Sequence, residues 1–141
     1  SIMLRHRNVN REVSFTLPHE GVMTLPDGAR LEIRRFVPDA SWQVPRHCDT
    51  CVLDASRFVS PLTLRHPCEG DRFRPFGLKG TKLLSDLYTD IKLDRIAKQR
   101  QWVLCHDDDI VWAVGVRASE LCRLQSDEQE VVEITYHPAI D

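Results

Sequence analysis

Glycine is scarce in this 141-residue chain. There are six, and three of them fall between Gly70 and Gly80. No apolar run approaches the roughly 18 residues of a membrane-spanning helix, and no secretory leader opens the sequence. Five cysteines, at positions 48, 51, 68, 105 and 122, make an odd set whose spacing matches no small disulfide framework. A reduced, cytoplasmic protein is the expectation, with no membrane partner. Only one close cysteine pair exists, Cys48 and Cys51, whereas a structural zinc site needs four ligands, usually two such pairs. His47 and His66 stand at no supporting spacing, so no metal is assigned. The run Asp107-Asp108-Asp109 lacks the staggered oxygen ligands of a calcium loop. It reads as a solvated hairpin tip, with His106 an exposed turn residue. Neither a G-x-S-x-G elbow nor a P-loop occurs, and no catalytic residue is assigned.

What is present is enough apolar material for a core, 42% of residues, and an uneven charge. Residues 1–70 carry 9 basic and 8 acidic side chains, residues 71–100 carry 8 and 4, and residues 101–141 carry 2 and 9, which sums to the net −2. A basic middle followed by an acidic tail argues that the middle meets something anionic.

Alternation marks the strands. In "VMTLPDGARLEIRRF", Pro26-Asp27-Gly28 separates two such segments, with Leu31, Ile33 and Arg35 on one face and Glu32 and Arg34 on the other. "CVLDASRF", "PLTLRH" and "EVVEITY" supply further strands, and "WVLCHDDDIVWAVGVR" reads as a hairpin buried on both faces. Between them, Leu83, Leu84, Leu87, Tyr88 and Ile91 repeat at helical spacing, and Asp94 can cap a second short helix reaching Arg100. The expectation is an α+β, mainly β fold: an antiparallel sheet or sandwich core with two short helices inserted after a Gly-rich loop. Residues 1–12 read as a linker or remnant, 13–62 as a β-rich N-terminal lobe, and 63–136 as a C-terminal domain forming one compact unit with that lobe. Whether residues 1–60 fold independently stays open.

The stretch "GDRFRPFGLKG" fits no core. Gly77 and Gly80 let backbone approach a ligand, Gly70 and Asp71 belong to the same structural loop, and backbone N–H groups entering a helix suit phosphate oxygens. Arg72, Arg74, Lys79 and Lys82 cluster there, with Lys92, Arg95, Lys98 and Arg100 following on the helices. Phe73 and Phe76 could stack on bases, but beside Pro75 they are expected to anchor the loop in the core. The composition fits an anion-binding surface or a solvated turn.

The ordered series from Asp54 to Arg117, comprising Asp54-Ala55, "PLTLR", "GDRFRPFGLKG", the Lys82-Leu83-Leu84-Ser85-Asp86 helix start and "DIVWAVGVR", resembles the C-terminal domain of bacterial tRNA(Ile)-lysidine synthetase. The resemblance implies a mainly β, noncatalytic tRNA-recognition appendage that engages the acceptor-stem side of tRNA(Ile). It also implies a ligase, using ATP and Mg in its full-length form, that joins lysine to the wobble cytidine. No cofactor is implied for this part, because the S-G-G-x-D-S loop of the catalytic domain is absent from the sequence. The positions carried over are Asp71, Arg72, Arg74, Lys79 and Lys82; Leu83 stands where a further basic residue is expected. The remaining domains of the enzyme are the other implied partner, and the oligomeric state, a homodimer included, is open. Two rival readings are an interdomain or subunit docking module, and a small enzyme using thiol or imidazole chemistry.

Overall fold

The computed structural model describes residues 14–125 and 130–140, so the expected linker of residues 1–12 lies outside the described residues. Two antiparallel sheets carry the fold. One has the order β1 (Ser14–Thr16), β5 (Leu62–Arg65), β8 (Val103–His106), β9 (Asp109–Ala113), β10 (Arg117–Ala118). The other has the order β2 (Gly21–Thr24), β3 (Arg30–Phe36), β11 (Val131–His137), β4 (Thr50–Asp54). A two-stranded ribbon, β6 (Arg72–Phe73) with β7 (Lys82–Leu83), leads into helices α1 (Leu84–Asp90) and α2 (Arg95–Gln99). The mainly β, α+β architecture is therefore as the pattern suggested.

Alternation decides which face of each strand is buried. Leu31 and Ile33 of β3, Leu53 of β4, Leu64 of β5, Leu104 of β8 and Ile134 of β11 converge in one core between the two sheets. Trp102 and Trp112 lie within it. The opposite face of the five-stranded sheet is not bare. Val103, Cys105, Ile110 and Ala113 meet Phe73, Leu84, Leu87 and Tyr88 in a second cluster. The segment containing β6, β7 and α1 is thus a third layer, packed on the outer face of the first sheet.

Strand β9 serves both clusters through a β-bulge. Leu104 pairs with Trp112 and Cys105 with Ile110, leaving Val111 without an opposite residue. An extra residue shifts the alternation by one, so Val111 and Trp112 both enter the central core while Ile110 and Ala113 face the outer cluster.

The turn at Pro26-Asp27-Gly28 forms where expected. Gly28 has φ +91°, Ala29 N–H donates to Asp27 Oδ1 at 2.9 Å, and Leu25 N–H donates to Ala29 O at 2.7 Å. The last strand behaves less locally. β11 inserts between β3 and β4, with Val131 opposite Phe36 on one side and Asp54 on the other. β1 pairs with β5 in the other sheet. Residues on both sides of position 62 therefore share both sheets.

Two helical details differ from the periodic reading. Leu84, Leu87 and Tyr88 are buried, but Leu83 belongs to β7 and Ile91 lies past the helix end, 46% exposed. The apolar repeat outlasts the seven-residue helix that uses it. Asp94 does cap α2, its Oδ1 accepting from Ala97 N–H at 2.8 Å.

Candidate nucleic-acid interface

Strand β6, the loop behind it and β7 hold the first group of expected cations. Asp71 is the anchor. Its carboxylate takes both ends of the Arg65 guanidinium, at 2.9 and 3.2 Å, and accepts from Cys68 N–H at 2.7 Å. Both side chains are nearly buried, 14% and 9% exposed, so this is a bidentate pair inside the fold rather than a surface contact. Backbone closes the same point, since Leu84 N–H donates to Asp71 O at 2.9 Å.

The glycine-rich loop is not pliable. Phe76 N–H donates to Ala118 O at 2.9 Å, Leu78 N–H to Pro75 O at 3.0 Å, and Arg117 Nη2 to Phe76 O at 2.7 Å. Gly70 and Gly77 take φ +86° and +88°, where a side chain would be strained. Gly77 N–H donates to Glu120 Oε1 at 2.8 Å, and Arg123 forks onto the same carboxylate. Arg123, then the Gly77 N–H, hold the Glu120 carboxyl down at about 2. Gly80 does not open a helix: Thr81 and the β7 pair separate it from α1, so no phosphate-cradling turn forms at that helix start.

Of the two loop aromatics, Phe73 is buried in the outer cluster, but Phe76 is 39% exposed. It sits outside the core because β6 ends before it and its ring lies under the Arg123 guanidinium, 4.3 Å from the centroid.

The cations divide into four groups. Arg72, Arg74 and Lys79 are exposed around the loop; Arg72 Nε donates to Thr81 Oγ1 at 3.4 Å and Arg74 Nε to Leu78 O at 2.8 Å. Lys82 pairs with Asp90, and Lys98 is tied to Ser85 and Thr89 of α1, at 3.1 and 2.6 Å. Lys92 and Arg95 are exposed and make no ion pair among the described residues. Lys92 takes φ +69°, so it occupies the turn between the helices rather than either helix. Arg100 is set apart, lining a groove with Asp49, Trp102, Gly115 and Tyr136. Helix α2 buries no residue, which leaves Arg95 and Ile96 to solvent.

The cysteine and histidine alternatives fare differently. Cys51 turns into the core against Cys122, Sγ to Sγ 3.5 Å, while Cys48 is exposed. The two thiols of the close pair therefore do not converge. The hydrogen bond with Cys122, then burial, push the Cys51 thiol well above its usual range, which disfavours its thiolate. His66 stacks on Trp102, ring centroids 3.9 Å apart, away from His47, Cys48 and Asp49, which group at the surface. His106 is not an exposed turn residue. Its side chain is 16% exposed, edge-on to Phe58, because it pairs with Asp109 at the end of β8 while Asp107 and Asp108 make the tip. No helix among the described residues is long and apolar enough to cross a membrane.

Residues 62–134 match the family model described as the TilS substrate C-terminal domain, just over half of the chain. The chain belongs to this family. It is 36% identical to the tRNA(Ile)-lysidine synthase of Parabacteroides distasonis over 119 residues, 84% of this chain and 27% of that protein. The Bacteroides thetaiotaomicron protein of the same name is also 36% identical, over 83% of this chain and 27% of its own length. The chain thus spans about a quarter of the curated relatives it matches. A solved structure, "Crystal structure of TILS C-terminal domain", superposes with a TM-score of 0.80 at 23% identity, covering 91% of this chain and 98% of that one, a likeness of fold.

Within this TilS C-terminal domain, three polar residues at the loop were not singled out from the sequence. Arg117, Glu120 and Arg123 come from the strongly acidic last third, whose average conceals two arginines. Phe76 and Gly77 reach them across 41 and 43 positions. Only the pairing of Pro75 with Ser119 brings them to the loop, and no local pattern encodes that bridge.

Proposed function

We propose that this TilS C-terminal domain is a noncatalytic tRNA-binding appendage of a tRNA(Ile)-lysidine synthase, meeting the acceptor-stem side of tRNA(Ile) with its outer layer. The enzyme as a whole would be a cytoplasmic ligase that uses ATP and Mg to join lysine to the wobble cytidine, chemistry that resides outside this domain. The observation carrying the reading is the composition of that layer. Residues 71–100 hold 8 basic and 4 acidic side chains, and two of those acids are spent, Asp71 on Arg65 and Asp90 on Lys82. Arg72, Arg74, Lys79, Lys92 and Arg95 are left facing solvent on a scaffold fixed to the sheet. Such a surface suits a phosphate backbone, which positions a partner without reading its bases.

Fluorescence anisotropy of the chain against three labelled RNAs, at two salt concentrations, tests this. Whole tRNA(Ile) and its acceptor-stem minihelix bind, more weakly at high salt, and the anticodon stem-loop does not. Failure of all three at micromolar protein returns the domain to docking within its own enzyme.

A further inference from the structure

The corner between the glycine-rich loop and the turn Glu120–Cys122 gathers more positive groups than its one carboxylate needs. Glu120 Oε1 accepts from the Gly77 N–H at 2.8 Å and from Arg123 Nη2 at 3.1 Å, and Oε2 faces Arg123 Nε. Arg74 adds to the favourable field at this carboxylate, and its own carbonyl accepts from Glu120 N–H at 2.8 Å. Arg117 is fastened to Phe76 O, one residue before Gly77. The Arg123 fork, the Arg74 charge and a glycine amide therefore act on one acid.

A backbone N–H at a positive-φ glycine beside a guanidinium fork is the donor geometry that grips phosphate oxygens. A plain surface ion pair would need one arginine and no amide. The platform is also rigid without Glu120. Ser119 and Cys122 are buried, 1% and 8% exposed, fixing the turn from below. The bonds from Phe76 N–H to Ala118 O and from Arg117 to Phe76 O fix the loop independently. The exposed Phe76 ring, covered on one side by Arg123, borders the corner.

We propose that this corner is a phosphate-binding cradle closed by the chain's own Glu120, whose carboxylate stands where a phosphate oxygen would sit. The ligand chemistry is a phosphate oxyanion, supplied by an RNA backbone or by free phosphate. The cradle rests on the tRNA-binding reading only for the RNA source. A phosphate enters by displacing a carboxylate already bound. Weak or isolated anions are thereby excluded, and a phosphate delivered by an RNA held elsewhere on the outer layer is admitted.

The test is a titration of inorganic phosphate, at constant ionic strength, into the wild-type chain and into Glu120→Ala, followed by the Gly77 amide and Arg123 Nε signals. In Glu120→Ala both signals saturate at a phosphate concentration at least tenfold lower than in wild type, and Arg123→Ala in that background abolishes the response. Glu120→Gln, which keeps the side chain's length and its acceptor for Gly77, gives an intermediate shift and secures the result should the alanine variant fold poorly. A folded Glu120→Gln and Glu120→Ala pair showing no phosphate response at Gly77 overturns the cradle. Anisotropy with tRNA(Ile) separates the sources. Affinity raised about threefold in Glu120→Ala assigns the cradle to RNA. Unchanged RNA affinity beside a phosphate response assigns it to free phosphate. If wild type binds no RNA yet the phosphate response appears, the tRNA reading fails and the cradle stands.

Discussion

The two faces of the five-stranded sheet are built from the same strands and do opposite jobs. Toward the four-stranded sheet, Leu64, Leu104, Val111 and Trp112 meet Leu31, Leu53 and Ile134 in an aliphatic and indole core. Toward the other side, Val103, Cys105, Ile110 and Ala113 are covered by a short ribbon and one helix. That cover contributes Phe73, Leu84, Leu87 and Tyr88 inward and turns its cations outward. The inner face is held by shape and area, which tolerate no polar change. The outer layer is held by a few apolar anchors and one buried ion pair, so its remaining positions are free to carry charge. A thin, well-anchored layer lets a small domain present a basic surface without weakening its core.

Damage to the inner face is expected to be the most severe. Trp112 is fully buried, so Trp112→Ala costs about 4 kcal/mol and leaves a marginal domain; urea unfolding of the far-ultraviolet signal measures it. Next comes the anchor of the outer layer. Asp71→Ala strands the nearly buried Arg65 and costs about 3 kcal/mol in the same assay. Amide exchange distinguishes the two changes. After Asp71→Ala, protection falls first in residues 68–90 and only later in β8 and β9.

A gain is expected at Tyr88. Its hydroxyl is buried without a hydrogen-bond partner among the described residues, and burial drives its ionisation far out of range. Tyr88→Phe removes that unpaired oxygen and stabilises by up to about 1 kcal/mol, read as a higher urea midpoint. The smallest effect is local and set by pH. The Glu120 carboxyl is held at about 2, below its unfolded value of 4.5, so the Glu120–Gly77–Arg123 contact is complete above pH 4.5 and is lost as pH falls toward 2. The Gly77 amide shift follows that titration while the core signals stay fixed.

How far these features can be read from the chain depends on how far apart in sequence their parts lie. The Pro26-Asp27-Gly28 turn, the β8–β9 hairpin and the Asp94 cap are each made within a few residues, and alternation or capping chemistry marks them. Insertion of β11 between β3 and β4 joins Ile134 to Ile33 and to Cys51, 101 and 83 positions away, and both edges of Ile134 look alike from its own sequence. The Val111 bulge is silent for another reason: a continuously apolar strand has no alternation to break. Basic composition did single out residues 71–100, but not which cations are spent on partners. Lys82 and Lys98 look as free as Lys79 until Asp90, Ser85 and Thr89 are placed beside them. Phe76 is expected in the core and lies at the surface, and Glu120 goes unmarked, because a tertiary bridge, rather than local spacing, defines their surroundings.

The claim that the two sides of the domain differ in function is tested most directly by the salt dependence of tRNA(Ile) binding in two variants. Arg72→Ala/Arg74→Ala removes two cations from the outer layer, and Arg34→Ala removes an exposed one, 59% accessible, from the four-stranded sheet. The outer-layer variant should bind more weakly, with its log–log salt slope reduced by about two, while Arg34→Ala keeps the wild-type slope. Equal slopes in all three proteins, or a loss confined to Arg34→Ala, would contradict the account.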